Sequence, residues 1–208
     1  MITLDCEQGG IEWQEARLGI PTASEFSRIV TPGGKASASA KRYMADLVAE
    51  RVLGYSVVEW QGNRATERGH ALEPDALEYY GFLTDSAPAK VGFVYRDDEK
   101  MVGCSPDFMV GERVTGELKC PMEPGIHLIR LAMDELPREY MLQVQGQIWV
   151  TGAERADFLD YYPELPPLLV SVEPDEKIFA AFDEHIPAFI DELLETEAKL
   201  RAMGLGEL

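Results

Sequence analysis

The chain is predicted to fold as an α/β (α+β) domain with a mixed central sheet flanked by helices, and three observations carry that expectation. Apolar residues recur at helical spacing up to residue 80, period-two alternation takes over from Val91 onward, and two helical stretches then separate that run from two later strand candidates. Helices interposed between strands indicate layers of helix against sheet. A length of 208 residues suits a single domain over 1–208 with a C-terminal helix, long enough to bury a sizeable core.

The elements follow in order. Thr22-Ala23-Ser24-Glu25 has the form of a capping box ahead of a short apolar helix over 26–30. The Gly, Ser and Ala-rich stretch 31–40 reads as a loop. Met44, Leu47, Val48 and Val52 fall at helical spacing over 39–53, with Gly54 as the stop. A helix over 64–80 carries Leu72, Ala76 and Tyr79 on one face, and Pro74 removes one backbone bond there, with a kink expected just after Glu73. Val91, Phe93 and Tyr95 alternate with polar or small residues. Extended runs at 101–104, 107–110 and 114–119, with a turn at Gly111-Glu112, read as an antiparallel meander. Helices from about residue 126 and over 138–150 come next, then strands over 156–162 and 168–172. A long acidic helix over 175–203 ends the chain, with Ile178, Phe182, Ile186, Phe189, Ile190, Leu193 and Leu200 as its packing stripe and Pro187 as a kink.

The formal net charge of -18 runs against DNA binding, which depends on basic side chains neutralising phosphates. The distribution is less adverse. Residues 1–70 hold eight Lys or Arg against nine Asp or Glu, and residues 173–208 hold three against ten. Arg17, Arg28, Lys35, Lys41, Arg42, Arg51, Arg64 and Arg68 therefore either line a locally basic channel inside an acidic exterior, or belong to a chain that is merely acidic. Cys6, Cys104 and Cys120 show no C-x-x-C spacing, so free thiols are expected rather than a disulfide frame or structural zinc. No segment has the length of a membrane span, and the N-terminus lacks the pattern of a signal peptide, so a cytoplasmic location is expected.

The chemistry concentrates between residues 105 and 121. Side chains two apart on a strand share a face, so Glu117 and Lys119 project into one space, and Asp107, at the edge of a neighbouring strand, can join them. Two carboxylates supply hard oxygen ligands for a small divalent cation, and a lysine beside them can orient a water or, with its pKa lowered by burial, help deprotonate it. Phosphodiester hydrolysis needs those parts. The triplet alone also arises by chance as a solvated Glu/Lys pair. Its setting favours a site at a sheet end: Cys104-Ser105-Pro106 forms a turn before the Asp, and Cys120-Pro121 stops the strand.

Five ordered blocks extend the pattern along nearly the whole chain. They are residues 13–24 from Trp13 to Ser24, Arg68-Gly69-His70-Ala71-Leu72-Glu73, Ser105-Pro106-Asp107, Glu117-Leu118-Lys119-Cys120-Pro121, and residues 140–152 from Tyr140 to Gly152 with the later Asp157-Phe158. With them the chain resembles the lambda exonuclease family of YqaJ-type viral recombinase nucleases, within the restriction-endonuclease-like superfamily. The resemblance implies a magnesium-dependent exonuclease that degrades the 5'-terminated strand of linear duplex DNA from 5' to 3' and leaves 3' overhangs. It also implies a homotrimeric ring, a single-strand annealing protein as partner in phage recombination, and a bacterial host cell as location. By matching positions, Asp107 and Glu117 would be metal ligands with the Leu118 carbonyl, Glu73 would sit at or near two metal ions, and Lys119 would position or activate the water. Arg17, Ser24, Ser105 and Gln143 would bind the 5'-terminal phosphate. Manganese fits the same oxygen ligands.

Plainer roles stand beside these: Arg17 as a surface ion pair, Ser24 as an ordinary helix-start residue, Gln143 and Gln145 as a polar helix edge, Trp13 and Trp149 as core, and His70, His127 and His185 as packed or solvated side chains. Relatives commonly have Gly where this chain has Phe108, so the ring is expected to be pushed under the sheet. The duplex-splitting wedge is sought in 31–40 or 60–66. An endonuclease of the same fold and an inactive DNA-binding module are the competing functions.

Overall fold

A computed structural model describes residues 1–57 and 64–205. In chain order the elements are β1 (Ile2–Leu4), α1 (Ile11–Arg17), a 3-10 helix (Ala23–Arg28), α2 (Ala40–Leu53), α3 (Arg64–Thr84), β2 (Phe93–Tyr95), β3 (Gly103–Cys104), β4 (Phe108–Val110) and β5 (Val114–Lys119). They continue with α4 (Pro124–Met133), a second 3-10 turn (Arg138–Tyr140), α5 (Met141–Thr151), β6 (Arg155–Asp160), β7 (Leu168–Val172) and α6 (Glu176–Ala202).

The strands form two sheets. The larger is mixed, in the order β4-β5-β6-β7: β5 pairs antiparallel with β4 and parallel with β6, which pairs antiparallel with β7. The smaller is β1-β2-β3, all antiparallel. The expected continuous meander is therefore divided, because the chain leaves one sheet at Cys104 and enters the other at Phe108, across Ser105-Pro106. Strand β1 was not among the expected elements.

Helices cover both faces of the larger sheet. On one face Ala76 and Tyr80 of α3 pack on Phe108, Leu118 and Leu159; on the other Val144 and Ile148 of α5 pack on Ala156 and Phe158. Because strand side chains alternate, sending Leu118 toward α3 sends Glu117 and Lys119 toward α5. Helix α5 is buried nearly all round, with nine buried residues, because α6 and the first 3-10 helix cover its outer side. Gly146 permits that contact: a Cβ there would stand 2.7 Å from the Phe26 ring and 3.0 Å from Ala23 Cβ. Phe26, Trp149 and Phe182 meet edge to face at the centre of this core, so Trp149 is a core residue as expected.

The C-terminal stripe is core packing. Ile178, Phe182, Ile186, Phe189 and Leu193 are buried, and α6 starts where the Asp175 side chain accepts from the Lys177 and Ile178 N-H groups. Gly54, at φ +76°, ends α2 as expected. Both α3 and α6 run on through their prolines.

One local expectation fails. Thr22 caps no helix, because its hydroxyl lies 3.3 Å from Ser24 Oγ instead of bonding a backbone N-H, and the helix it precedes is a six-residue 3-10 segment. Several of the early basic residues are already engaged within the chain. Arg28 and Arg42 pair with Asp46, Arg51 pairs with Glu197 of α6, and the Arg68 guanidinium lies 4.9 Å from the Tyr162 ring centre. The loop 31–40 packs on α6, where its Gly34 carbonyl lies 3.3 Å from His185 Nε2. The other proposed wedge, 60–66, falls largely outside the described residues.

All three cysteines are free. No helix among the described residues is long and apolar enough to cross a membrane.

Candidate active site

The chain leading to Asp107 is tied down before any chemistry is considered. Gln8 Nε2 donates to the carbonyls of Val91 and Pro106, both at 2.8 Å, and Asp107 N donates to Gly116 O at 2.9 Å. These bonds fix Asp107 beside the outer end of β5. Its Oδ2 accepts from the Leu118 N-H at 2.6 Å, a bond made possible because β4 pairs with β5 only from 108 to 110 and leaves that edge open. A residue in a strand sends its N-H and C=O toward the same neighbour. Lys119 O accepts from Tyr161 N on the β6 side, so the Leu118 carbonyl points the other way, toward Asp107.

Glu117 is 2 % exposed, and its carboxylate is surrounded by donors. Oε1 accepts from Lys119 Nζ and from Gln143 Nε2 at 2.6 Å, and Oε2 accepts from Gln147 Nε2 at 2.5 Å. The Tyr140 ring lies 5.2 Å from the Lys119 ammonium. Asp107, Glu117, Lys119, Gln143 and Gln147 line a cavity of about 190 Å³ together with Gln8, Trp13, Arg17, Ala23, Ser24 and Ser105.

Arg17 gives the cavity a cationic group suited to an anion. The Arg17 guanidinium lies 4.2 Å from the Trp13 ring centre and has no acidic partner among the described residues, so the surface ion-pair role is not observed. Burial draws its pKa down from the ordinary guanidinium value against the weaker pull of Tyr43 and nearby acids. Ser105 Oγ accepts from Trp13 Nε1 at 2.8 Å, so Trp13 belongs to the cavity wall and not to the central core.

Burial pushes the Asp107 carboxyl up to about 8, the Glu117 charge adds to the rise, and Lys119 and the Leu118 N-H only partly oppose it. Two acids held this close fit a cation between them: oxygen ligands from Asp107 and Glu117, with the Leu118 carbonyl on the same side, are the donor set that hard divalent ions take. Among the described residues no third acid, histidine or cysteine completes a cluster able to hold a metal. Glu73 is close enough to raise the Asp107 pKa, yet it does not line the cavity and its Oε2 lies 3.5 Å from Lys90 Nζ. Burial works to lower the Lys119 pKa, but Glu117 and Asp107 outweigh burial and hold it above the ordinary lysine value.

Of the sequence-derived candidates, Asp107, Glu117, Lys119, Arg17, Ser24, Ser105 and Gln143 come together and Glu73 stays outside. Gln143 lines the cavity and spends its amide on Glu117. Gln147 and Gln8 were missed. The four-residue step from Gln143 to Gln147 places both on one face of α5, a signal present in the sequence. His127, taken as ordinary packing, is fully buried in an ionic cluster behind the site: Nδ1 lies 2.5 Å from Asp160 Oδ1 and Nε2 lies 2.8 Å from Pro166 O, while Arg130 donates to Asp160 Oδ2 at 2.6 Å. A larger apolar groove of about 620 Å³ between α2 and α6 lies away from these groups.

Comparison with known proteins agrees with this geometry. The chain aligns over 94 % of its length and 98 % of the other's with an alkaline exonuclease, LHK-Exo, from Laribacter hongkongensis, at 31 % identity and TM-score 0.81; that enzyme has also been solved in complex with dAMP. A phage-related exonuclease from Haemophilus somnus 129PT shares the fold at 18 % identity and TM-score 0.66, covering 85 % of this chain and 96 % of its own. The Escherichia coli (strain K12) protein ExoD is 38 % identical over 64 residues, 29 % of this chain and 74 % of its own length. Residues 12–154 match the family model of the YqaJ-like viral recombinase domain. Spanning every cavity-lining residue except Gln8, that match makes the chain a member of the YqaJ-like viral recombinase family, a nuclease with a restriction-endonuclease-like fold.

Proposed function

We propose that this nuclease is a metal-dependent 5' to 3' exonuclease that degrades the 5'-terminated strand of linear duplex DNA and leaves 3' single-stranded overhangs. The observation that carries the reading is the single cavity that Asp107, Glu117 and Lys119 share with Arg17, Ser24 and Ser105. The acids and the lysine perform hydrolysis, and Arg17 with the two serines holds the phosphate at the end of the strand. The similar LHK-Exo has been crystallised with the mononucleotide dAMP.

Asp107 Oδ1, Glu117 Oε2 and the Leu118 carbonyl would hold magnesium, or manganese, as one ion or as the pair expected from the sequence. Such an ion would supply neutralisation of phosphoryl oxygens and an acidified water. The protein's own groups do the rest. Lys119 stays protonated, so it orients the attacking water and stabilises negative charge on the scissile phosphate instead of removing a proton. Arg17 offers a planar fork to two oxygens of the terminal phosphate, and the Ser24 and Ser105 hydroxyls donate to the remainder. Being already desolvated on Trp13, Arg17 loses little hydration when the phosphate arrives. The ring trimer and the annealing-protein partner belong to the same reading.

The test is digestion of an end-labelled linear duplex, 5'-phosphorylated or 5'-hydroxyl, beside a covalently closed circle, with and without magnesium, for the wild type and Glu117→Ala. Magnesium-dependent release of 5' nucleotides from the phosphorylated linear duplex alone, absent in Glu117→Ala, is the expected result. Cleavage of the circle, or 3' to 5' polarity, refutes the reading.

A further inference from the structure

Helix α5 carries two glutamines that are equally buried, each 1 % exposed, and differently employed. Gln145 is fully satisfied by backbone: its Nε2 donates to Glu173 O at 2.7 Å and its Oε1 accepts from Asp175 N at 2.9 Å, which fastens α5 to the start of α6. Gln147, on the opposite face, donates from Nε2 to Glu117 Oε2 at 2.5 Å, and its Oε1 is buried with no hydrogen-bond partner among the described residues. Turning the amide over would not relieve this, because the carbonyl would then confront a carboxylate oxygen. Glu117 dictates the orientation, and an orphaned buried acceptor is the consequence. Such groups are rare in native interiors and concentrate where a function requires them.

The bond acts on a particular oxygen. Each carboxylate oxygen has two lone pairs. Both on Glu117 Oε1 are engaged, by Lys119 and Gln143, whereas Oε2 receives only Gln147 and keeps one lone pair. We propose that Gln147 is a positioning residue that fixes Glu117 so that the remaining lone pair of Oε2 is presented to a divalent cation shared with Asp107. The inference rests on the metal-dependent reading above and adds a residue that acts through Glu117. Partners that orient a metal ligand typically change metal affinity by about 10- to 100-fold when removed.

The test measures manganese binding to the full-length protein without DNA, by the electron paramagnetic resonance of free Mn2+, alongside thermal unfolding. Gln147→Met keeps the volume and removes both polar atoms. Gln147→Asn keeps the amide and withdraws it by one methylene, so a folded variant is obtained by one route or the other. Both are expected to raise the Mn2+ dissociation constant about 10-fold or more. Gln145→Met provides the contrast: it lowers the unfolding temperature and leaves Mn2+ affinity within about 2-fold, as the loss of a structural hydrogen bond should. Wild-type affinity in either Gln147 variant, with binding still lost in Glu117→Gln, overturns this inference alone. Mn2+ binding that survives Glu117→Gln, or none in the wild type, overturns the metal-dependent reading together with it.

Discussion

The Phe108 ring fills the space that a side chain at Gly116 would need. The two are cross-strand partners in the β4-β5 ladder, and a Cβ at 116 would overlap the Phe108 ring. Tyr80 closes the other side of the ring at 4.3 Å between centroids. A bulky residue directly after Asp107 is thus matched by the absence of one directly before Glu117, and both acids keep their places.

Gly116→Ala is therefore expected to destabilise the protein by about 2 kcal/mol or more through overpacking, and to lower nuclease activity by displacing Asp107 and Glu117. In a Phe108→Ala background the same substitution should cost less than half as much. Urea denaturation of the four proteins checks this, and additive effects would show that the two residues do not share the space.

Asp157 sets the acid limit of the fold. Burial works to raise its pKa, but Arg155, Ser171 Oγ at 2.7 Å and Tyr80 OH at 2.7 Å all donate to it, and the net shift is downward from 3.8. A carboxylate with a depressed folded pKa contributes stability that is present above its unfolded value and lost as pH falls through the folded one. Asp157→Asn should then lower stability by about 2 kcal/mol at pH 7 and flatten the loss of stability below about pH 4. Unfolding temperatures measured from pH 7 to pH 2.5 would reveal a wild-type slope retained in the variant if another acid were responsible.

Arg17→Ala should erase most of the preference for a phosphorylated end while leaving slower, metal-dependent hydrolysis. Arg17→Lys should not restore the preference, because an ammonium offers neither the fork nor the flat face that meets Trp13. The ratio of initial rates on 5'-phosphate and 5'-hydroxyl duplexes is the measurement, and an unchanged ratio removes Arg17 from phosphate binding.

Lys119→Ala should reduce turnover by about 10²-fold or more, with DNA affinity much less affected. Since Lys119 holds its proton, raising the pH from 7 to 9 should not reproduce this loss in the wild type. Single-turnover rates across that range decide the matter, and a fall with a midpoint near 8 in that window would contradict a permanently charged lysine.

Much of this was legible in the sequence, for reasons that differ between elements. Helices α2 and α6 announce themselves because each buries one face over three or more turns, and strand β7 appears at 168–172 as expected because its run is bounded by Pro166-Pro167 and Glu173-Pro174. The joint orientation of Glu117 and Lys119 follows from strand alternation alone. Strand β1 is only three residues long and shows no pattern until β2 lies beside it. The division into two sheets turns on where Ser105-Pro106 sends the chain, which local pattern does not encode. Which of the two roles open to Lys119 holds depends on Glu117 and Asp107, whose charges outweigh burial only once the fold brings them beside it. Gln147 went unnoticed because Gln145 drew attention to a run of glutamines whose members face opposite ways. The fates of Arg28, Arg42 and Arg51 depend on acids up to 146 positions distant.

Strand β5 alternates between its two helical covers, so a single inserted residue within 114–119 would swap every side chain beyond it: Leu118 would enter the polar hollow and the acid would be driven into the apolar layer beneath α3. The catalytic end of this molecule is thus more sensitive to chain length than to composition. Insertions should be better tolerated at the Gly111-Glu112 turn, because the pairing of β5 with β6 from Val114 to Lys119 holds the facing of the strand independently of β4.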